Sequence, residues 1–256
     1  MRVLLTAMCF GKGERGVNVD RHLQLLESAR GQGCDLAVFP EFSLTGSVDP
    51  RTHPERAIDL DDTAVAAIVE GTSVSGVAAV FGLAERSGPV FYITQAYAAG
   101  GKLLGLRRKR FLGEGEEGYT VGDESDVFRL GSACFGIVIC AEGGFEPAWA
   151  DAATLGAEVV FFCSAPGLYG RRTDEASCAS GYAWWEGAAF ADATRSARRH
   201  GMWVGLSTQA GTTEDEDFPG LAALVSPAGE VVERLADWRP GTLVVDIPVG
   251  GYGPPA

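Results

Sequence analysis

The sequence predicts a layered α/β protein in which helices cover the faces of mixed β-sheets. Short apolar runs rich in β-branched residues recur along the chain, bounded by turn residues, and helical patterns lie between several of them. Two hairpin signals add antiparallel pairs, which a purely parallel, doubly wound sheet would not need.

The predicted strands, in chain order, are 3–10, 36–39, 77–83, 91–98, 102–106, 134–139, 159–163, 203–207, 221–225 and 242–247. Residues 1–10 carry one Arg and then an apolar stretch, superficially like a signal peptide. Thr6 interrupts the stretch and no small-residue cleavage site follows, so it reads as the first strand. The clearest helix is 18–30, where Val19, Leu23, Leu25, Leu26 and Ala29 share one broad face and Gly31 and Gly33 supply the stop. Further helices are expected over 62–70, 146–155 and roughly 182–200. One hairpin is expected at Gly100-Gly101 and another at Ser226-Pro227-Ala228-Gly229. No internal repeat with a period of about 20 to 50 residues is evident. No linker splits the 256 residues, so one domain over 1–256 is expected.

Composition narrows the function classes. With 46% hydrophobic and 21% charged residues the chain can bury a large core. A formal net charge of −13 argues against non-specific binding to nucleic acid or anionic membrane, both of which need clustered Lys and Arg. No apolar stretch approaches the roughly 20 residues that span a bilayer. A cytoplasmic setting is therefore expected, with the six cysteines as thiols. They form no C-x-x-C pair and the three histidines lack ligand spacing, so no metal site is expected. The acidic, glycine-rich segment 113–118 would repel a phosphate, and there is no G-x-S-x-G elbow. The one basic run, Arg107-Arg108-Lys109-Arg110, is either a solvated strand end or part of a site.

Open α/β sheets place their sites at strand ends. Glu41, Lys109 and Cys140 stand there, each directly beyond an apolar run. Cys140 is either a buried structural thiol, as expected for Cys9, Cys134 and Cys163, or a nucleophile. The small-residue turn Ala141-Glu142-Gly143-Gly144 and the helix after it resemble a nucleophile elbow. A thiol needs roughly 2 kcal/mol to ionise at neutral pH, hence a base or a nearby cation. His22, His53 and His200 are all expected at the surface, which weakens a Cys/His pair. A desolvated carboxylate with a lysine beside it can take that role.

Three segments now carry a resemblance. The stretches 35–46 (DLAVFPEFSLTG), Arg107-Arg108-Lys109 and 136–142 (GIVICAE) are similar, in order and separation, to the signature blocks of the nitrilase, or carbon-nitrogen hydrolase, superfamily. Segments 156–160 and 227–231 also fit, so the resemblance covers nearly the whole chain. It implies a four-layer αββα sandwich with two mixed β-sheets, no cofactor, and a homodimer formed through helices. The short segment after Asp246-Ile247-Pro248 argues against a spiral filament.

The resemblance further implies Glu41 as general base, Lys109 as oxyanion stabiliser and Cys140 as a nucleophile that forms a thioester. A second glutamate precedes a turn that reads Val121-Gly122 here. Glu117 matches the amidase-type spacing best, with Glu116 beside it; an exposed acidic loop including Glu114 is the alternative. Ala141, through its backbone N–H, and Glu142, as support of the turn, complete the substrate-binding set. The implied partners are a small amide or N-carbamoyl substrate and water. A nitrile substrate and a non-catalytic binding homologue are the competing readings. Two departures from the family pattern are expected to touch the pocket: Ala141, where relatives carry a bulky aromatic residue, and Thr208-Gln209-Ala210-Gly211 in place of Asn-x-x-Gly. Trp184 and Trp185 are expected either as pocket walls or as core packing.

Overall fold

The computed structural model describes residues 1–123 and 126–249. The first half of the chain runs β1 (Arg2–Ala7), α1 (Arg15–Gly31), β2 (Leu36–Val38), α2 (Thr63–Ser75), β3 (Ala78–Ser87), β4 (Val90–Ala99) and β5 (Lys102–Arg108). It continues through β6 (Val127–Leu130), β7 (Ala133–Ile139), α3 (Glu146–Thr154), β8 (Val159–Ser164), α4 (Glu175–His200) and β9 (Trp203–Thr208). The short pair β10 (Gly211–Thr212) and β11 (Asp217–Phe218) precedes β12 (Ala222–Val225), β13 (Val231–Arg234) and β14 (Gly241–Asp246).

Two six-stranded sheets form, ordered β14-β1-β2-β3-β4-β5 and β13-β12-β9-β8-β7-β6. Within each, three adjacent strands are parallel, β1-β2-β3 and β7-β8-β9, because a helix carries the chain back between them. The flanking pairs are antiparallel. The same succession of pairings thus occurs twice, about half the chain apart and outside the range of periods that flags short repeats.

Alternation along the strands sends side chains to two cores. Val3, Leu5, Val38 and Val80 of one sheet meet Phe135, Ile137, Phe161 and Leu224 of the other in the central layer. The opposite faces pack on helices: Leu4, Ala37 and Phe81 against Leu26, Ile68 and their neighbours, and Val138, Val160 and Phe162 against Trp149, Trp185 and Ala193. The layers are therefore αββα, as expected. Of the expected bounds, the first strand ends at Ala7 rather than residue 10, and β6 was not foreseen because it has only four residues and just one of them, Phe128, is buried. Helix α2 continues past residue 70 to Ser75 from an Asp62 N-cap whose side chain accepts Ala64 N–H (2.8 Å). Helix α4 likewise begins earlier, at an Asp174 cap accepting Ser177 N–H (2.8 Å). The segment after Val249, on which the filament expectation turned, lies outside the described residues.

The buried stripe of α1 differs from its apolar stripe. Asn18, His22, Leu26 and Ala29 are buried, while Val19, Leu23 and Leu25 are only partly so. His22, expected at the surface, is fully buried: its Nδ1 lies 2.7 Å from Asn18 O and its Nε2 3.0 Å from Ser43 Oγ. Nδ1–H donates to the carbonyl, leaving Nε2 to accept the serine hydroxyl, and Ser43 Oγ accepts Gly82 N–H (3.0 Å). Burial lowers the His22 pKa to about 4, so the ring is neutral. His200 is half-buried and paired with Glu146 (2.9 Å); only His53 is exposed as expected.

Candidate active site

The turn after β2 carries Glu41 and is fastened to β3. Leu44 N–H donates to Gly82 O (2.7 Å), and the Ser43 and Thr45 hydroxyls accept Gly82 and Ala84 N–H. Gly82 is required here: a Cβ would stand 2.4 Å from Phe42 N and 2.7 Å from Pro40 O. Phe42 adopts a φ of 58°, rare for a non-glycine residue, and turns the Glu41 side chain inward. Glu41 is 1% exposed.

Cys140 leaves β7 with a φ of 43° and opens a single helical turn, Cys140–Gly144. Two strained positions thus flank one site, an arrangement held only where the surroundings over-determine it. Glu142 supplies that constraint. Its fully buried carboxylate accepts Ile139 N–H (3.0 Å), Arg110 N–H (2.6 Å) and Arg107 Nη2 (2.9 Å). The groups it gathers flank Cys140 on one sheet and Lys109 on the other. Glu142 is therefore a brace behind the site, and it is absent from the cavity wall.

The basic run is no solvated strand end. Arg107 pairs with Glu142, Arg108 with the buried Glu85, and Arg110 with Asp151. Lys109, fully buried, donates to Glu41 Oε1 (2.9 Å) and to Glu116 Oε1 (2.6 Å). Glu41 Oε2 accepts Ala165 N–H (3.0 Å), and Glu116 Oε2 accepts Gly113 N–H (2.6 Å). Glu117 points the other way: it is exposed and paired with Arg51 at 3.0 Å. The structure thus gathers Glu41, Lys109, Cys140 and Glu116, with Glu117 outside.

Burial raises the Glu41 carboxyl above its ordinary 4.5, opposed by Lys109 and reinforced by Glu116. The Cys140 thiol is pushed well up by burial and by the Glu41 charge, against the pull of Lys109. Burial acts against the Lys109 charge, but Glu41, Cys140 and Glu116 together outweigh it and raise its pKa. The ammonium is therefore held in its charged form and the thiol in its protonated form, and the thiol lines the same cavity as Glu41. Two of the three Lys109 donors are engaged by carboxylates, which leaves one for a developing oxyanion.

Glu41, Glu116 and Cys140 open on a cavity of about 440 Å³, of the size that holds small molecules, with Lys109 buried behind the two carboxylates. Ala141, Trp184 and Trp185 line it, together with Phe42, Tyr119 and Tyr169. Trp185 is both wall and core, packed on Phe162 at a centroid distance of 6.2 Å. The stretch 208–211 does not reach the lining; Gln209 is buried and donates to Phe10 O (3.1 Å). Among the described residues no histidine lines the cavity. Of the other thiols, Cys134 and Cys163 are buried as expected, whereas Cys9 is only half-buried. Tyr119, Tyr169 and Ala165 N–H were not foreseen, because nothing in their local sequence marks them and only the folding of three loops brings them to the cavity.

The carbon-nitrogen hydrolase family model matches residues 8–254. The chain belongs to that family. It is 29% identical over 259 residues to the glutamine-dependent NAD(+) synthetase of Xylella fastidiosa, an alignment covering 96% of this chain and 44% of the synthetase. The chain thus spans less than half the length of that relative. A nitrilase of Bradyrhizobium diazoefficiens is 30% identical over 148 residues, covering 49% of this chain and 46% of the nitrilase. Among solved structures, a variant of the amidase from Nesterenkonia sp. AN1, showing Michael addition of acrylamide at its active-site cysteine, superposes with a TM-score of 0.81. That pair shares 24% identity over 97% of this chain and 93% of the other, a likeness of fold.

Proposed function

We propose that the protein hydrolyses a carbon-nitrogen bond in a small amide or N-carbamoyl compound through a thioester on Cys140. The observation that carries this reading is the buried Lys109 ammonium held between Glu41 and Glu116, with the Cys140 thiol beside Glu41 at the floor of the cavity. Glu41 takes the thiol proton as Cys140 attacks the carbonyl carbon. The third Lys109 donor and the Ala141 N–H hold the oxygen as it becomes negative. Glu41 returns the proton to the leaving nitrogen, and the amine departs. Water, deprotonated by the same carboxylate, then attacks the thioester, releasing the acid and restoring the thiol.

Glu116, rather than Glu117, is the second glutamate of this proposal. It keeps Lys109 charged and aimed while Glu41 changes protonation. A homodimer, which the resemblance implies, and a cytoplasmic setting, expected from the hydropathy pattern of the sequence, accompany the reading; no helix among the described residues is long and apolar enough to cross a membrane. The test is product release from a panel of amides, N-carbamoyl compounds and nitriles, paired with alkylation of Cys140. Amine or ammonia release that stops when Cys140 is alkylated supports the proposal. Nitrile turnover without amide turnover would replace it with a nitrilase, and no product from any compound would leave a binding homologue.

A further inference from the structure

The polarity of the cavity mouth restricts the substrate further. Among the described residues the wall holds a single cation, Lys12, and two carboxylates occupy it: Asp215 at 3.0 Å and Glu216 at 3.0 Å. An anionic substrate would find no free positive partner there. Of the wall's carboxylates, Asp49 is paired with Arg51 and Asp192 with Arg195. Glu114 is different. It is exposed on the wall and has no ion pair or side-chain hydrogen bond among the described residues. Two large aromatic side chains share that mouth and stand far out in solvent, Tyr169 at 81% exposure and Trp184 at 53%. Glu114, Tyr169 and Cys140 line one cavity, so this corner shares its space with the nucleophile.

An unpaired carboxylate beside exposed aromatic faces is the chemistry that receives an organic ammonium, through charge attraction and the ring quadrupole. A net charge of −13 adds a field that draws cations and repels anions. We propose that the substrate is an amide bearing a protonated amine, seated at the mouth between Glu114 and the Tyr169 and Trp184 rings while its amide carbon lies over Cys140. This inference rests on the hydrolase reading above and names its substrate class.

The test compares kcat/KM for three amides of similar shape: hexanamide, 5-aminopentanamide and 4-carboxybutanamide, which are neutral, cationic and anionic. The cationic amide is expected to exceed the neutral one by about tenfold at low ionic strength, with the anionic amide poorest. That ratio falls as sodium chloride is raised. Glu114→Gln and Trp184→Leu each lower the cationic-to-neutral ratio toward one; because both rates come from the same variant, a general loss of folded enzyme cancels. Equal use of the neutral and cationic amides, or preference for the anion, overturns this inference while the hydrolase reading stands. If none of the three is hydrolysed, and no other amide either, both fall together.

Discussion

Replacing Glu142 by alanine removes one carboxylate that serves three donors at once, the Arg107 guanidinium and the backbone N–H groups of Arg110 and Ile139. Arg107 is 2% exposed and would be left as an unpaired buried charge, a loss that costs about 3 to 5 kcal/mol. Each orphaned N–H adds about 1 kcal/mol or more unless water enters to meet it. The variant should therefore lose about 5 to 7 kcal/mol of stability, measured by urea unfolding followed by tryptophan fluorescence. The paired variant Arg107→Met with Glu142→Leu removes the charge together with its partner and should recover a substantial part of that loss. A cost below about 1 kcal/mol for Glu142→Ala, or a double variant less stable than the single, would refute the bracing role drawn from these distances.

Glu116→Gln should lower kcat/KM by at least about a hundredfold, because it withdraws a charge from the Lys109 ammonium, whereas Glu117→Gln should change it less than about twofold; steady-state kinetics on one amide decides between the two. The acid limb of kcat/KM should lie above the ordinary glutamate value of 4.5, since the raised Glu41 carboxyl must be ionised to act and activity falls as pH drops through it. A limb at or below 4.5 would contradict the buried base. His22 is held neutral, with its pKa lowered from 6.5 to about 4. Between those values the unfolded chain binds a proton that the folded chain refuses, so stability is full above 6.5 and declines as pH falls toward 4, by about 3 kcal/mol in total. His22→Gln should flatten that decline in chemical denaturation measured across the window.

Much of this architecture is visible in the sequence because its signals are local. The apolar runs before Glu41 and Cys140 fix where two of the site residues emerge, and the hairpin glycines fix where the parallel pattern breaks. The inward-facing glutamate was not local information. Residues 113–118 form a sequence of turns, with Gly115 at a φ of 85°, and those turns decide whether residue 116 or 117 faces Lys109. Spacing relative to Gly122 cannot register a turn. His22 was misplaced for a related reason: the buried stripe of α1 is partly polar, and Asn18 and His22 go inside because Ser43 and backbone carbonyls satisfy them. The 18, 22, 26, 29 spacing contained the signal, hidden by a more apolar neighbouring stripe. Glu142 shows the third kind of gap, because its partners, Arg107 and the Arg110 N–H, arrive from the other sheet.

The most direct test of the account is to catch the acyl group on its nucleophile. Rapid acid quench of the enzyme turning over an amide substrate, followed by peptide mass spectrometry, should show the acyl mass on the peptide containing Cys140. The adduct should be lost in Glu41→Gln, whose neutral amide can take no proton from the thiol, and it should vanish in Cys140→Ala along with turnover. Sustained turnover by Cys140→Ala, or an acyl group found on another residue, would contradict it.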